Sequence, residues 1–133
     1  MHENRTEPVG TADWPPAGAH TLRRTGAGVL VAELRGDMDL ATAAPVRLWL
    51  DSVVALGAPA YVVDLRSVSF IDSTGMSVVL RFRRRVIEGE HGFALLCDAG
   101  QLRLLRAHGT VDLLNPSATL AEAMSVLSVS GLS

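Results

Sequence analysis

The sequence contains one cysteine, Cys97, and no lysine, and aromatic residues make up only 5% of its 133 positions. A single cysteine excludes a disulfide framework and any CxxC redox or zinc pair. Its place in the apolar run Phe93–Cys97 reads as a small buried hydrophobe in a reducing compartment, which points to the cytoplasm. Long hydrophobic runs are also missing: Val46–Leu56 and Met76–Leu80 are too short or too often broken by charge to cross a bilayer. Met1–Arg5 is polar and leads into Pro, Gly and Asp, unlike the apolar stretch of a signal peptide, so no membrane association is expected. Charge of one sign is scarce as well. Twelve arginines stand against fourteen acidic residues, a net charge of −2, and this weak overall field makes nucleic acid an unexpected partner.

Most sequence signatures of catalysis are absent. There is no GxGxxG or GxxxxGK[ST] phosphate loop, no GxSxG nucleophile elbow and no HExxH pair. The four histidines, His2, His20, His91 and His108, lack a metal-ligand spacing and read as exposed or capping residues, so neither metal nor cofactor is implied.

What is present suits one soluble domain, with hydrophobic residues at 48% and charged residues at 20%. Residues 1–20 hold three of the six prolines and few aliphatic side chains, the profile of a disordered or loosely attached tail, which leaves residues 21–133 as the domain. From Thr21 onward, short strand-like runs alternate with helical patterns. Thr21–Arg24 and Val29–Leu34 form a hairpin through the Gly-containing turn Thr25–Gly28. A helix follows, capped by Thr42 with Pro45 in its first turn, with Val46, Trp49, Leu50, Val53 and Leu56 at helical spacing and Gly57 closing it. Tyr61–Leu65 is apolar apart from Asp64, as a central strand covered on both faces is. Asp72 caps a second helix carrying Met76, Val79, Leu80, Phe82, Val86 and Ile87 and ending at Gly89. Then come a strand over Gly92–Cys97, a short helix over Gln101–Ala107, a short strand over Val111–Leu114 and a final helix over Thr119–Leu127. The order implies an α/β fold, with a mixed, largely parallel sheet of about four to five strands and helices packed against it.

The segment Val62–Arg85 stands out, because a buried strand runs into Asp72-Ser73-Thr74-Gly75 at the start of an amphipathic helix. Taken alone, an aspartate followed by small polar residues is what any helix start prefers. Taken with Arg35-Gly36-Asp37-Met38-Asp39-Leu40 at the end of an earlier strand, and with the helix–Gly109 passage in Leu102–Leu114, it resembles the STAS domain family, in particular the bacterial anti-sigma factor antagonists. The resemblance extends over about residues 21–127. Asp37 replaces the family's more usual Glu, Met76 its Leu and Ser77 a frequent Gly.

The resemblance implies a STAS-like fold and a function without catalysis. Such antagonists bind an anti-sigma factor with serine kinase activity, so that a sigma factor is freed; phosphorylation ends the binding and a PPM-type phosphatase restores it. Ser73 matches the phosphorylated position. Asp39 matches the acidic residue beside it, and Asp37, Asp72, Thr74, Gly75 and Met76 complete the implied partner-binding set. The oligomeric state implied is a monomer or weak dimer. A second reading is a STAS scaffold, or a cytosolic subunit of a stress-sensing or transport assembly. A third, an enzyme with Ser73 as nucleophile, requires a base within hydrogen-bond reach, and no histidine is near it in sequence. Asp64 reads as a strand-end residue satisfied by nearby backbone, and the Arg81–Arg85 run as a solvated face.

Overall fold

In a computed structural model of the chain, residues 5–9 and 20–129 are described. The elements in chain order are β1 (Thr6–Pro8), β2 (Thr21–Thr25), β3 (Leu30–Met38), α1 (Leu40–Val54), β4 (Ala60–Ile71), α2 (Ser73–Glu88), β5 (Gly92–Leu96), α3 (Ala99–Ala107), α4 (Val111–Leu114) and α5 (Leu120–Val129). The strands form one sheet in the order β1-β2-β3-β4-β5. Its first two pairings are antiparallel, and β3, β4 and β5 run parallel. The mixed α/β architecture read from the sequence is therefore the observed one. Most of residues 1–20, expected as a tail, lie outside the described residues; within that stretch, Thr6–Pro8 pairs along β2 as an edge strand, held by Arg23 Nε donating to Thr6 Oγ1 at 2.6 Å.

The sheet is covered on both faces, and the period of β4 shows how. Tyr61, Val63 and Leu65 belong to the larger core beneath α1, α2 and α3, whereas Ala60 and Val62 meet Ala123 and Leu127 of α5 on the other face. Beyond Leu65 the strict alternation ends. The register runs from Glu33 opposite Asp64 to Arg35 opposite Ser67, and from Gly36 opposite Val68 to Asp37 opposite Phe70. At each of these steps β4 takes one residue more than β3, a bulge, so Leu65, Val68 and Ile71 all return to the core face at a spacing of three. The first bulge lies beside Asp64, which is mid-strand rather than at a strand end and is only 5% exposed. Its carboxylate accepts from the Arg66 backbone N–H and takes the Arg66 guanidinium in a two-point pair at 2.9–3.0 Å.

These bulges let β4 outrun β5, which stops pairing at Leu96 opposite Asp64. The carbonyls on that flank of β4 need other donors, and α3 supplies them from side chains. Gln101, buried near the start of α3, donates through Nε2 to Val68 O at 2.8 Å and to Arg66 O at 3.3 Å, while its Oε1 accepts from Asp98 N–H. His108, at the end of α3, lies with Nε2 3.0 Å from Ile71 O, which fixes that nitrogen as the protonated one.

Two local expectations change. The first helix is capped by Asp39, not Thr42: Asp39 Oδ1 accepts from Ala41 and Thr42 N–H, and Thr42 Oγ1 accepts from Asp39 N–H. Pro45 consequently sits inside the helix rather than in its first turn. Val111–Leu114 is a single helical turn, not a strand, closed by Asn115 in the left-handed conformation with its N–H on Val111 O. In the Arg81–Arg85 run, Arg81 and Arg85 both bind Asp51 Oδ1, at 2.7 and 2.6 Å, and so tie α2 to α1.

Gln101→Leu leaves two carbonyls without donors and is expected to lower unfolding stability by about 1–3 kcal/mol for each one that water cannot reach. Gln101→Glu keeps the acceptor for Asp98 but turns a carboxylate toward the two carbonyls, so it rescues nothing; urea midpoints of the two variants check this. A second test concerns His20, whose Nδ1 accepts from Arg35 N–H at 3.2 Å and whose ring packs on Trp49. Burial, and then the Arg35 charge, push its pKa below the usual value. The unfolded chain therefore takes the proton first. This contribution to stability is full above about pH 6.5 and is lost as pH falls from there toward the folded value. His20→Gln should flatten the fall in urea midpoint between neutral and acid pH relative to wild type.

Candidate functional site

Met38 ends β3 opposite Ile71 at the end of β4, so the residues that follow, Asp39 and Asp72, emerge side by side. Each caps a helix. Asp72 is extended (φ −94°, ψ −175°), accepts from Gly75 N–H at 2.9 Å and donates its own N–H to Met38 O at 3.0 Å. The positive ends of α1 and α2 thus share one edge, at the C-terminal ends of the parallel strands.

Gly75 makes this convergence possible. A Cβ there would lie 2.8 Å from the carbonyl carbon and the Cβ of Met38, and nearer still to the Met38 carbonyl oxygen, so the first turn of α2 touches the β3 backbone directly. Met76, one residue on, is 3% exposed and sits in the core with Val79 and Phe82. The expectation that Gly75 and Met76 face a partner gives way to a packing role for both.

Ser73 occupies the first helical position of α2 and is exposed, and its hydroxyl has no hydrogen-bond partner among the described residues. Its carbonyl accepts from Ser77 Oγ at 2.9 Å. Thr74 is half-buried and turns toward α1, where it lines a shallow groove of about 320 Å³ with Leu40, Ala43, Ala44 and Val78. Asp37 is exposed, pairs with Phe70 across the strands and gives its carbonyl to Thr42 Oγ1 at 3.0 Å. The structure therefore gathers Asp37, Asp39, Asp72, Ser73 and Thr74 at one edge, with the carboxylates of Asp39 and Asp72 committed to helix caps.

Sequence reasoning missed two apolar residues there. Leu40, 77% exposed, starts α1 and lines the groove with Thr74, and Phe70, 47% exposed, lies near the end of β4 opposite Asp37. Leu40 has a sequence signal, since it follows a capping aspartate and lies off the Ala43–Val46–Leu50 face. Phe70 has none that period-2 alternation reveals, because two bulges decide which way it points. Among the described residues, no group of three or more His, Cys, Asp or Glu could hold a metal ion, and no helix is long and apolar enough to cross a membrane.

Gly75→Ala should push α2 off the end of β3. A destabilisation of about 1–3 kcal/mol or more is expected from the overpacking, with amide shifts at Met38, Asp39 and Asp72 in the folded fraction. Unchanged stability and unchanged shifts would contradict the contact.

Comparison with known proteins places these features in a family. An anti-sigma factor antagonist from Mycobacterium paratuberculosis matches with a TM-score of 0.74 at 23% identity, over 86% of this chain and 97% of that one. The Bacillus cell fate determinant SpoIIAA in its phosphorylated form matches with a TM-score of 0.60 at 22% identity, over 80% and 97%. A sulfate transporter family protein from Wolinella succinogenes matches with a TM-score of 0.60 at 20% identity, over 76% and 85%. These likenesses are of fold. A sequence comparison with curated proteins gives no match. The family description that fits the sequence itself is the STAS domain, over residues 19–123, and on that match, with the five-stranded mixed sheet and its helix-capping edge, the chain belongs to the STAS domain family.

Proposed function

We propose that this protein is an anti-sigma factor antagonist: it binds an anti-sigma factor that is also a serine kinase, so that a sigma factor is freed, and phosphorylation of Ser73 ends the binding. The observation that carries the reading is the exposed Ser73 hydroxyl, without a hydrogen-bond partner among the described residues, at a helix start on the edge that also carries exposed Leu40 and Phe70. A serine held in that way is open to a kinase, and its apolar neighbours supply area to a docking protein. Thr74 is the poorer acceptor, being half-buried against α1. The fold likeness to antagonists, one of them in a phosphorylated form, supports the same assignment. A PPM-type phosphatase completes the cycle, the compartment is the cytoplasm, and the protein carries out no catalysis itself.

The switch acts through charge. A phosphoserine carries about −1.5 to −2 charges near neutral pH, and burying that charge in an interface without a cation to receive it abolishes binding. The fold likeness to a sulfate transporter family protein favours a second reading, a STAS subunit of a transport assembly, in which Ser73 has no switching role.

Incubation with cytoplasm from the native cell and ATP should place one phosphate on Ser73, found by phosphopeptide mapping, and none on Ser73→Ala. The captured partner should be kept by wild type, lost by Ser73→Asp, and itself able to phosphorylate the wild-type protein. In the phosphorylated protein, amide shifts should change near Asp37–Leu40 and Ser69–Leu80 with little change in unfolding stability. Modification of Ser73→Ala at the wild-type rate sinks the assignment, and a membrane transport component held equally by wild type and Ser73→Asp favours the second reading.

A further inference from the structure

Among the described residues three arginines are half-buried, and two of them have protein partners. Arg23 bonds to Thr6, and Arg81 pairs with Asp51 on α1. Arg83 has neither a hydrogen bond nor an ion pair among the described residues, although Arg81 and Arg85 on either side of it share Asp51. A guanidinium that gives up part of its hydration without gaining an acceptor is left able to receive an anion.

Arg83 lines a pocket of about 430 Å³ at the end of β4 away from Ser73, between the second half of α2, the start of β5, α4 and α5. Pro59, which precedes β4, lines it too, so the twelve-residue strand separates it from the serine. Small-molecule sites commonly occupy about 300–1,000 Å³.

Three more polar side chains reach the pocket. Glu90 and His91 come from the turn that ends α2, and Asn115 is the left-handed residue that closes α4. None of the three has a side-chain hydrogen bond or ion pair among the described residues, while the ring of His91 is held edge-on to Tyr61 with centroids 5.6 Å apart. Much of the remaining wall is apolar: half-buried Phe93, whose ring packs on Phe82, with Ile87 and Leu113, 44% and 50% exposed.

No main-chain edge opens into the pocket. Ser117, preceded by Pro116, takes Leu95 O and Cys97 N–H on the outer side of β5, and Leu95 is fully buried and outside the lining. A peptide laid there would bury main-chain amides with nothing to meet them. A molecule with one polar end and an apolar body carries no such cost.

We propose that this pocket binds a small, free organic acid, a monocarboxylate with an apolar body. The carboxylate accepts from the Arg83 guanidinium, whose paired N–H donors match its two oxygens. The body lies on Phe93, against Ile87 and Leu113. His91 and Asn115 supply further N–H donors. Glu90, exposed at the rim, opposes a second negative charge, which selects a monoanion over a phosphate or a dicarboxylate. The site lies apart from Ser73, so it stands or falls independently of the proposed switch.

The test is an NMR titration of the full chain with phenylbutyrate. Saturable shifts should appear at the amides of Phe93, Ala94, Leu113 and Asn115 while those of Asp37–Leu40 stay unchanged, in wild type and Ser73→Asp alike. The uncharged amide of the same acid should bind about tenfold more weakly, the size expected of a charged hydrogen bond. Arg83→Gln should weaken the acid by a similar factor and leave the affinity for the amide as it was, so the two changes report one contact. The amide comparison uses the wild-type protein and holds even where the variant disturbs folding. Acetate, with the charge but no body, should give no saturable shift over the same range. Equal binding of acid and amide, undiminished binding of the acid by a folded Arg83→Gln, acetate matching phenylbutyrate, or no saturable shift at millimolar acid would overturn the proposal. So would tighter binding of the peptide acetyl-Gly-Gly-Phe, with its free carboxylate, than of phenylbutyrate, by making a protein C-terminus the occupant.

Discussion

The contact between Gly75 and the Met38 carbonyl is the constraint on which the rest of the site depends. A helix that starts immediately after a strand must turn away from the sheet within one or two residues, and side chains normally hold it off the neighbouring strand. Here the missing Cβ lets the first turn of α2 rest on the backbone of β3, and Asp72 N–H closes the gap by donating to Met38 O. Because Met38 is also the last residue before Asp39, the same carbonyl joins the starts of both helices. Shifting α2 outward by the width of one methyl group loosens the Asp72 bond, the core seat of Met76 and the spacing between the two capped helix ends together.

The second half of β4 presents the opposite problem, a strand with too few neighbours. A parallel strand that runs beyond its partner exposes carbonyls on that flank, and each one left dry and unpaired costs about 1–3 kcal/mol. Gln101 and His108, seven residues and two helical turns apart, meet this need from one helix. An additional strand would have filled the flank equally well, but it would have capped the end of the sheet. By bonding through side chains, α3 leaves the edge at Ser69–Ser73 open while its carbonyls stay satisfied. The bulges belong to the same solution, since they keep Val68 and Ile71 in the core while turning Phe70 out.

Much of this was legible in the sequence where one local rule governs. The Asp72 cap, the Gly89 end of α2 and the doubly covered run Tyr61–Leu65 each follow from capping or periodicity acting within a few residues, and the structure has them all. The sequence marks β4 only over Tyr61–Leu65 because the continuous apolar run ends there; a spacing of three is neither strand nor helix until the bulges are known. Val111–Leu114 was misassigned for a related reason, since four apolar residues carry too little periodicity to separate a strand from one helical turn, and Asn115 in the left-handed conformation decided it. Thr42 reads as the cap from its own helix-start preference, and the reciprocal capping box does use it, with Asp39 as the outer member. Phe70 could not be placed from sequence because the bulges decide which way it points, whereas Leu40 follows the capping aspartate directly.

The capped state of the edge bears on how a charge at Ser73 would act under the proposed function. A helix start ordinarily captures a phosphate through its free N–H groups and its dipole. Here Asp72 already takes Gly75 N–H, and Asp39 already takes the N–H groups of Ala41 and Thr42. The remaining dipole attraction is worth about 0.3–1 kcal/mol for an exposed group, and the two nearby carboxylates oppose it. Of the N–H groups in the first turn of α2, a phosphate on Ser73 therefore finds only those of Ser73 and Thr74 uncapped among the described residues, a weak internal pull at an exposed helix start. It stays at the surface, on the edge that carries Leu40 and Phe70, where its charge has to be desolvated by whatever docks on that edge. The pre-filled caps thereby make the modification a change of surface charge, and the domain beneath it has no reason to move.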